Sequence, residues 1–150
     1  MNGEESGFSI RDYLDVRVLR REFPDLRDFW DGNWLRARVL IRDEHSRVEF
    51  EEMCLRTDEV RRFLKGLQRV LSGESDTMSL SPSESWWDVR MEKSDQYGHF
   101  ILRLAARFLP DRAGCSTSHA YEFEIDQTDL KILGKQLSQT LQEYPVVGEP

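Results

Sequence analysis

His99 and His119 are the side chains of this chain best suited to general-base work, because imidazole exchanges protons near neutral pH. A base also needs a partner that orients it and a nucleophile to deprotonate, and neither stands at a recognisable spacing. With His45 they make up all three histidines, too dispersed along the chain to suggest a metal site. Carboxylates pair at Asp43-Glu44, Glu51-Glu52 and Asp58-Glu59, in a turn, on a strand face and at a helix start, where solvation or capping accounts for them. The two cysteines form no C-x-x-C; Cys54 is expected in the core and Cys115 exposed in a Gly/Ser loop, both reduced. Glycine-rich phosphate loops, a nucleophile elbow and H-E-x-x-H are all missing from the sequence. Catalytic, cofactor-binding and metal-binding residues are therefore expected to be none, and the chain is read as a non-enzyme.

Aromatic residues carry a different chemistry. Asp28 to Leu35 places Phe29, Trp30 and Trp34 around Asp31-Gly32, directly before a strand-like alternation. Aromatics beside such a turn either fold back to plug the core or stand out as contact residues. The expectation is a turn at Asp31-Gly32, one tryptophan packed inward and the other at least partly accessible. Trp86-Trp87 poses the same question, since alternation sends only one of two neighbouring rings inward. The candidate binding residues are Trp30, Asp31, Trp34 and Trp86.

Hydrophobic period outlines the strands and helices that carry these residues. Phe8 to Ile10 is a short first strand. Leu14, Val16 and Val18 alternate with charged residues until Phe23-Pro24-Asp25 ends the strand. Leu35, Ala37, Val39 and Ile41 form the next, and Val48 to Leu55 follows with a phase slip between Phe50 and Met53 that suggests a bulge. Arg36, Arg38 and Arg42 are placed to face Glu49 and Glu51 across this hairpin. A helix capped by Thr57 carries Val60, Phe63, Leu64, Leu67, Val70 and Leu71 on one stripe. After a Ser/Glu/Pro-rich loop in which Met78 and Leu80 can form a short strand, the plan repeats. Trp87 to Met91, Phe100 to Leu104 and Tyr121 to Ile125 alternate, and a helix starting at Thr128 sets Leu130, Leu133, Leu137 and Leu141 on one seam. The fold predicted is α+β: a single, mostly antiparallel sheet of about six or seven strands, with both helices on one face, in strands-helix-strands-helix order. The 150 residues make one domain, with residues 1–7 and 148–150 as flexible ends.

Charge narrows the partners. A net charge of −7 opposes sequence-independent nucleic-acid binding and suits a basic protein partner. No apolar run is long enough to span a bilayer, and Met1 to Gly7 lacks the regions of a signal peptide, so the expected location is the cytoplasm.

Phe23-Pro24-Asp25, Phe29-Trp30-Asp31-Gly32-Asn33-Trp34-Leu35, Leu55-Arg56-Thr57-Asp58 and Asp126-Gln127-Thr128-Asp129-Leu130, in that order, resemble the WapI-type immunity proteins of bacteria. Position 29 is Phe where the family pattern leads one to expect Tyr. The resemblance covers roughly residues 8 to 147. It implies a small cytoplasmic protein that neutralises a contact-dependent or polymorphic toxin by direct binding and occlusion, and it brings no catalytic residues. A non-catalytic structural or regulatory interaction domain is the alternative, and a small-molecule enzyme the third reading.

Overall fold

The structure, a computed structural model, describes residues 6–84, 86–107 and 118–150. Its elements run β1 (Gly7–Ile10), β2 (Leu14–Arg21), α1 (Phe29–Gly32), β3 (Trp34–Arg42), β4 (Arg47–Arg56), α2 (Thr57–Leu71), β5 (Thr77–Leu80), β6 (Trp87–Lys93), β7 (His99–Arg107), β8 (Ser118–Asp126) and α3 (Gln127–Glu143). Alternation made the strands: Leu35, Ala37, Val39 and Ile41 are fully buried on one face of β3, while the intervening arginines look outward. Arg38 pairs with Glu51 at 3.3 Å and Arg36 with Glu22 at 3.0 Å. Arg42 turns instead to the Asp12 carbonyl, and Glu49 is held by its own neighbour Arg47.

The predicted single sheet is instead two four-stranded antiparallel sheets, ordered β1-β2-β3-β4 and β5-β6-β7-β8. One edge strand is sealed against further pairing. The outer edge of β1 is closed by side chains of α3: the Ser9 amide donates to Gln136 Oε1 at 2.9 Å, and the Gly7 carbonyl accepts from Thr140 Oγ1 at 3.2 Å. A strand whose free amides are already satisfied offers no template for another strand. Gly7 is needed there, because a Cβ at its φ of +150° would lie 2.0 Å from the Val16 carbonyl oxygen.

The two sheets meet through side chains. Cys54 is the extra residue of a bulge, since Leu55 pairs with Leu35 and Met53 with Arg36. The bulge thus falls just beyond the predicted Phe50–Met53 interval. Its carbonyl accepts the indole N–H of the fully buried Trp87 at 3.2 Å. At another point Ser46 Oγ and Tyr121 OH lie 2.7 Å apart. Burial pushes the Cys54 thiol up to about 12, with the nearby Glu52 and Glu59 carboxylates adding to the rise. Cys115 lies outside the described residues.

The two halves share one plan of four strands and a helix. β1 and β5 begin at 7 and 77, and α2 and α3 at 57 and 127, so both pairs stand 70 residues apart. Phe63, Leu67 and Val70 of α2 match Leu133, Leu137 and Thr140 of α3 in position and burial. The helices pack against each other, and each also lies beside the first strand of the other half, α2 along β5 and α3 along β1. A single buried cluster draws on both sheets and both helices.

Candidate binding site at the aromatic loop

Asp28 to Asn33 winds into the one-turn helix α1, where the sequence predicts a simple Asp31-Gly32 turn. Asp28 caps it, its Oδ2 accepting the Asp31 amide at 2.9 Å. That local bond favours a helical turn over a hairpin turn, because it satisfies an amide the helix would otherwise leave free. Gly32 is required for packing: a Cβ there would sit 2.8 Å from the Leu26 carbonyl oxygen and 2.8 Å from Val147. Asn33, fully buried, then ties three segments together. Its Nδ2 donates to the Phe29 and Val147 carbonyls, its Oδ1 accepts the Val147 amide, and its carbonyl accepts the Thr57 amide. Arg21 adds a further tie, donating to the Gly32 and Pro145 carbonyls.

Arg56 organises the site, and the sequence reading did not single it out. It is the N-cap residue of α2, one position before the predicted Thr57 cap; Thr57 is buried in the first turn instead. The Arg56 amide donates to Glu59 Oε1 at 2.8 Å. Its guanidinium donates to Asp58 at 2.9 Å, to the Phe29 carbonyl at 2.8 Å and to the Trp30 carbonyl. The same group lies 5.2 Å from the Phe29 ring centre and 5.1 Å from that of Trp34. A planar cation between two rings, donating in its plane to a carboxylate and two carbonyls, uses the properties that separate arginine from lysine. Leu55-Arg56-Thr57-Asp58 held the signal: an arginine directly after the buried Cys54 and Leu55 at the end of β4.

Asp58 and Glu59, expected simply to balance the helix dipole, are both buried. Burial raises the Glu59 carboxyl above its ordinary value, outweighing the Ser83 amide and hydroxyl and the Arg56 amide that favour its charge. Through Ser83 it anchors the loop before β6 to the start of α2.

These contacts leave a notch of about 580 Å³ lined by Phe29, Trp30, Trp34, Arg56, Asp58, Arg61, Arg62 and Ser83. Trp30 is 63% exposed, and its ring meets Phe29 edge-on at 5.1 Å. Trp34 is half-buried on Arg56. One tryptophan inward and one accessible is the division the sequence suggests. Of the candidate residues, Trp30 and Trp34 come together in the notch. Asp31 is exposed beside them but does not line it, and Trp86 stands apart, half-buried against Phe50 at 5.6 Å.

His99 and the carboxylates at the start of α3 have structural work. His99 Nδ1 lies 2.6 Å from Asp95, which raises the imidazole pKa above its ordinary value. Asp126 and Asp129 cap α3 reciprocally, and Arg11 grips Asp129 at 2.8 Å. Burial would raise the Asp129 carboxyl, but Arg11 and the Asp126 amide hold it below its ordinary value. A second concavity, of about 470 Å³, is lined by the stacked Tyr13 and Phe123 with Asp12, Arg42, Asp43, Glu44 and His45. Among the described residues no group of three or more metal-ligating side chains comes together, and no helix is long and apolar enough to cross a membrane.

No curated protein sequence matches this chain. Among solved structures, a chain of a CdiA-CT/CdiI toxin and immunity complex from Enterobacter cloacae is similar to it at 13% identity, with a TM-score of 0.41 over 71% of this chain and 89% of that one. The model of the Immunity protein WapI-like family matches residues 8–145, which span the aromatic loop, both helices and all eight strands but the first residue of β1, and the chain belongs to that family.

Proposed function

We propose that this immunity-type protein neutralises a bacterial toxin domain in the cytoplasm by binding it and covering a surface the toxin needs, leaving the toxin chemically unaltered. Membership of the immunity family over residues 8–145 carries this reading. The site chemistry agrees with it: exposed Trp30 on a rigid, cross-tied support has the character of a binding anchor. His99 is paired with Asp95, and the Asp126 and Asp129 carboxylates cap α3.

The partner is a basic domain. At −7 the chain attracts positive charge over a Debye length, and Asp12, Asp43 and Glu44 concentrate that field at one end of the first sheet. A toxin that acts on a polyanion carries such positive charge for its own substrate. Co-expression with a toxin domain encoded by a neighbouring gene, with cell survival and isolation of the complex as readouts, tests the proposal. Rescue together with a stable complex of unmodified toxin is expected. Rescue by a chemically altered toxin with no complex would replace occlusion with catalysis.

A further inference from the structure

The notch at the aromatic loop has a local charge opposite to that of the whole chain. Three arginines and one aspartate line it, although the molecule carries −7. Arg56 and Asp58 are buried and committed to each other and to α1. The other two arginines are available. Arg62 reaches Asp58 at 3.3 Å but keeps a side chain 70% exposed, and Arg61 has no ion-pair partner among the described residues. Both project from α2 beside the exposed Trp30 ring and the half-buried rings of Phe29 and Trp34. Apolar rings with the unpaired Arg61 and the exposed Arg62, which spends one contact on Asp58, complement a chain segment bearing an apolar side chain flanked by carboxylates.

We propose that this notch receives an acidic segment of the toxin domain, an apolar side chain resting on Trp30 and Trp34 and carboxylates pairing with Arg61 and Arg62. The proposal rests on the neutralisation reading and adds the contact surface and its polarity. Two electrostatic effects then act in opposite senses: the long-range field draws in a basic domain, and the notch selects an acidic piece of its surface. The supporting frame is rigid, because the carbonyls of Phe29 and Trp30 are fixed by Arg56 and α1 is fixed by Asn33. Docking there requires little ordering of this protein, which favours affinity.

The polarity gives the test its sign. The probe is a toxin domain encoded by a neighbouring gene, in binding kinetics with the full chain. The paired substitution R61E/R62E shifts the net charge by four units toward negative, and so does K131E/K135E on the exposed face of α3. If the overall field alone governed association, both pairs would strengthen binding to a basic domain. The notch proposal instead expects R61E/R62E to weaken binding by about tenfold or more, chiefly through faster dissociation, while K131E/K135E holds or strengthens it. W30A is expected to weaken it similarly, with thermal unfolding of each variant confirming that the fold persists. Wild-type binding with R61E/R62E and W30A unchanged, or with R61E/R62E tighter, overturns the notch and leaves neutralisation standing. Absence of wild-type binding overturns both.

Discussion

Replacing Arg56 by Ala removes one guanidinium from Asp58, from the carbonyls of Phe29 and Trp30 and from two aromatic rings at once. Breaking a buried ion pair by deleting one member costs about 3–5 kcal/mol, because the remaining charge stays buried without compensation. Arg62 relieves Asp58 only in part, since an ion pair with so exposed a partner contributes about 0–1 kcal/mol. The Phe29 carbonyl keeps Asn33 as a donor, while the Trp30 carbonyl is left to water. The two ring contacts overlap with these losses and do not add in full. The expected destabilisation is therefore about 3–5 kcal/mol, or a fall in Tm of about 6–20 °C for a chain of this length. Equilibrium urea unfolding followed by tryptophan fluorescence measures it, with Arg56→Lys recovering less than half, because an ammonium cannot stack flat or donate in a fork. A loss below about 1 kcal/mol for Arg56→Ala would refute the placing of Arg56 as the organiser of this loop. Trp30→Ala supplies the contrast: at 63% exposure its removal should cost no more than about 0.5 kcal/mol.

Leu137→Ala should lose about 2–5 kcal/mol and Phe63→Ala about 3–5 kcal/mol, since both side chains are buried where the helices enter the core; urea unfolding checks both. His99 should titrate above 6.5 in NMR, and Asp95→Asn should bring it down. Its contribution to stability is present below about 6.5 and is lost as pH rises through the folded-state value. Glu59 works in the other sense: its raised pKa makes the folded chain hold a proton longer than the unfolded one. Stability should fall as pH rises from about 4.5 through the folded value, and Glu59→Gln should flatten that part of the profile. Cys54, buried and pushed up to about 12, should resist thiol reagents at neutral pH until the protein unfolds, as alkylation and mass spectrometry can follow.

What the sequence makes legible here is whatever depends on neighbours in the chain. The period of Leu35, Ala37, Val39 and Ile41 placed β3, and the stripes through Phe63 and Leu137 placed the two long helices. The inward Trp87 and half-buried Trp86 also followed from alternation. Long-range partners were hidden. The edge of β1 is closed by Gln136 and Thr140, across more than 120 residues of sequence. No periodicity in Gly7 to Ile10 records that. Arg56 displaced Thr57 as the cap residue of α2 because carbonyls from α1 and two rings converge on it, a tertiary contact that outweighs local capping preference. At the aromatic loop the types of residue pointed to the site, and the accessible Trp30 and packed Trp34 match the expected division. Arg61 and Arg62 lie off the apolar stripe of α2 and are exposed. Only the position of α1 against α2 makes them the rim of a notch.

Under neutralisation by occlusion, protection comes from a complex. Native mass spectrometry of this protein mixed with a toxin domain encoded by a neighbouring gene reads that directly, since the masses of the complex and of each released chain are measured together. A stable complex is expected whose toxin, once dissociated, has its unmodified mass and recovers its activity. A toxin inactivated with no complex detected, or released with an altered mass, would contradict it.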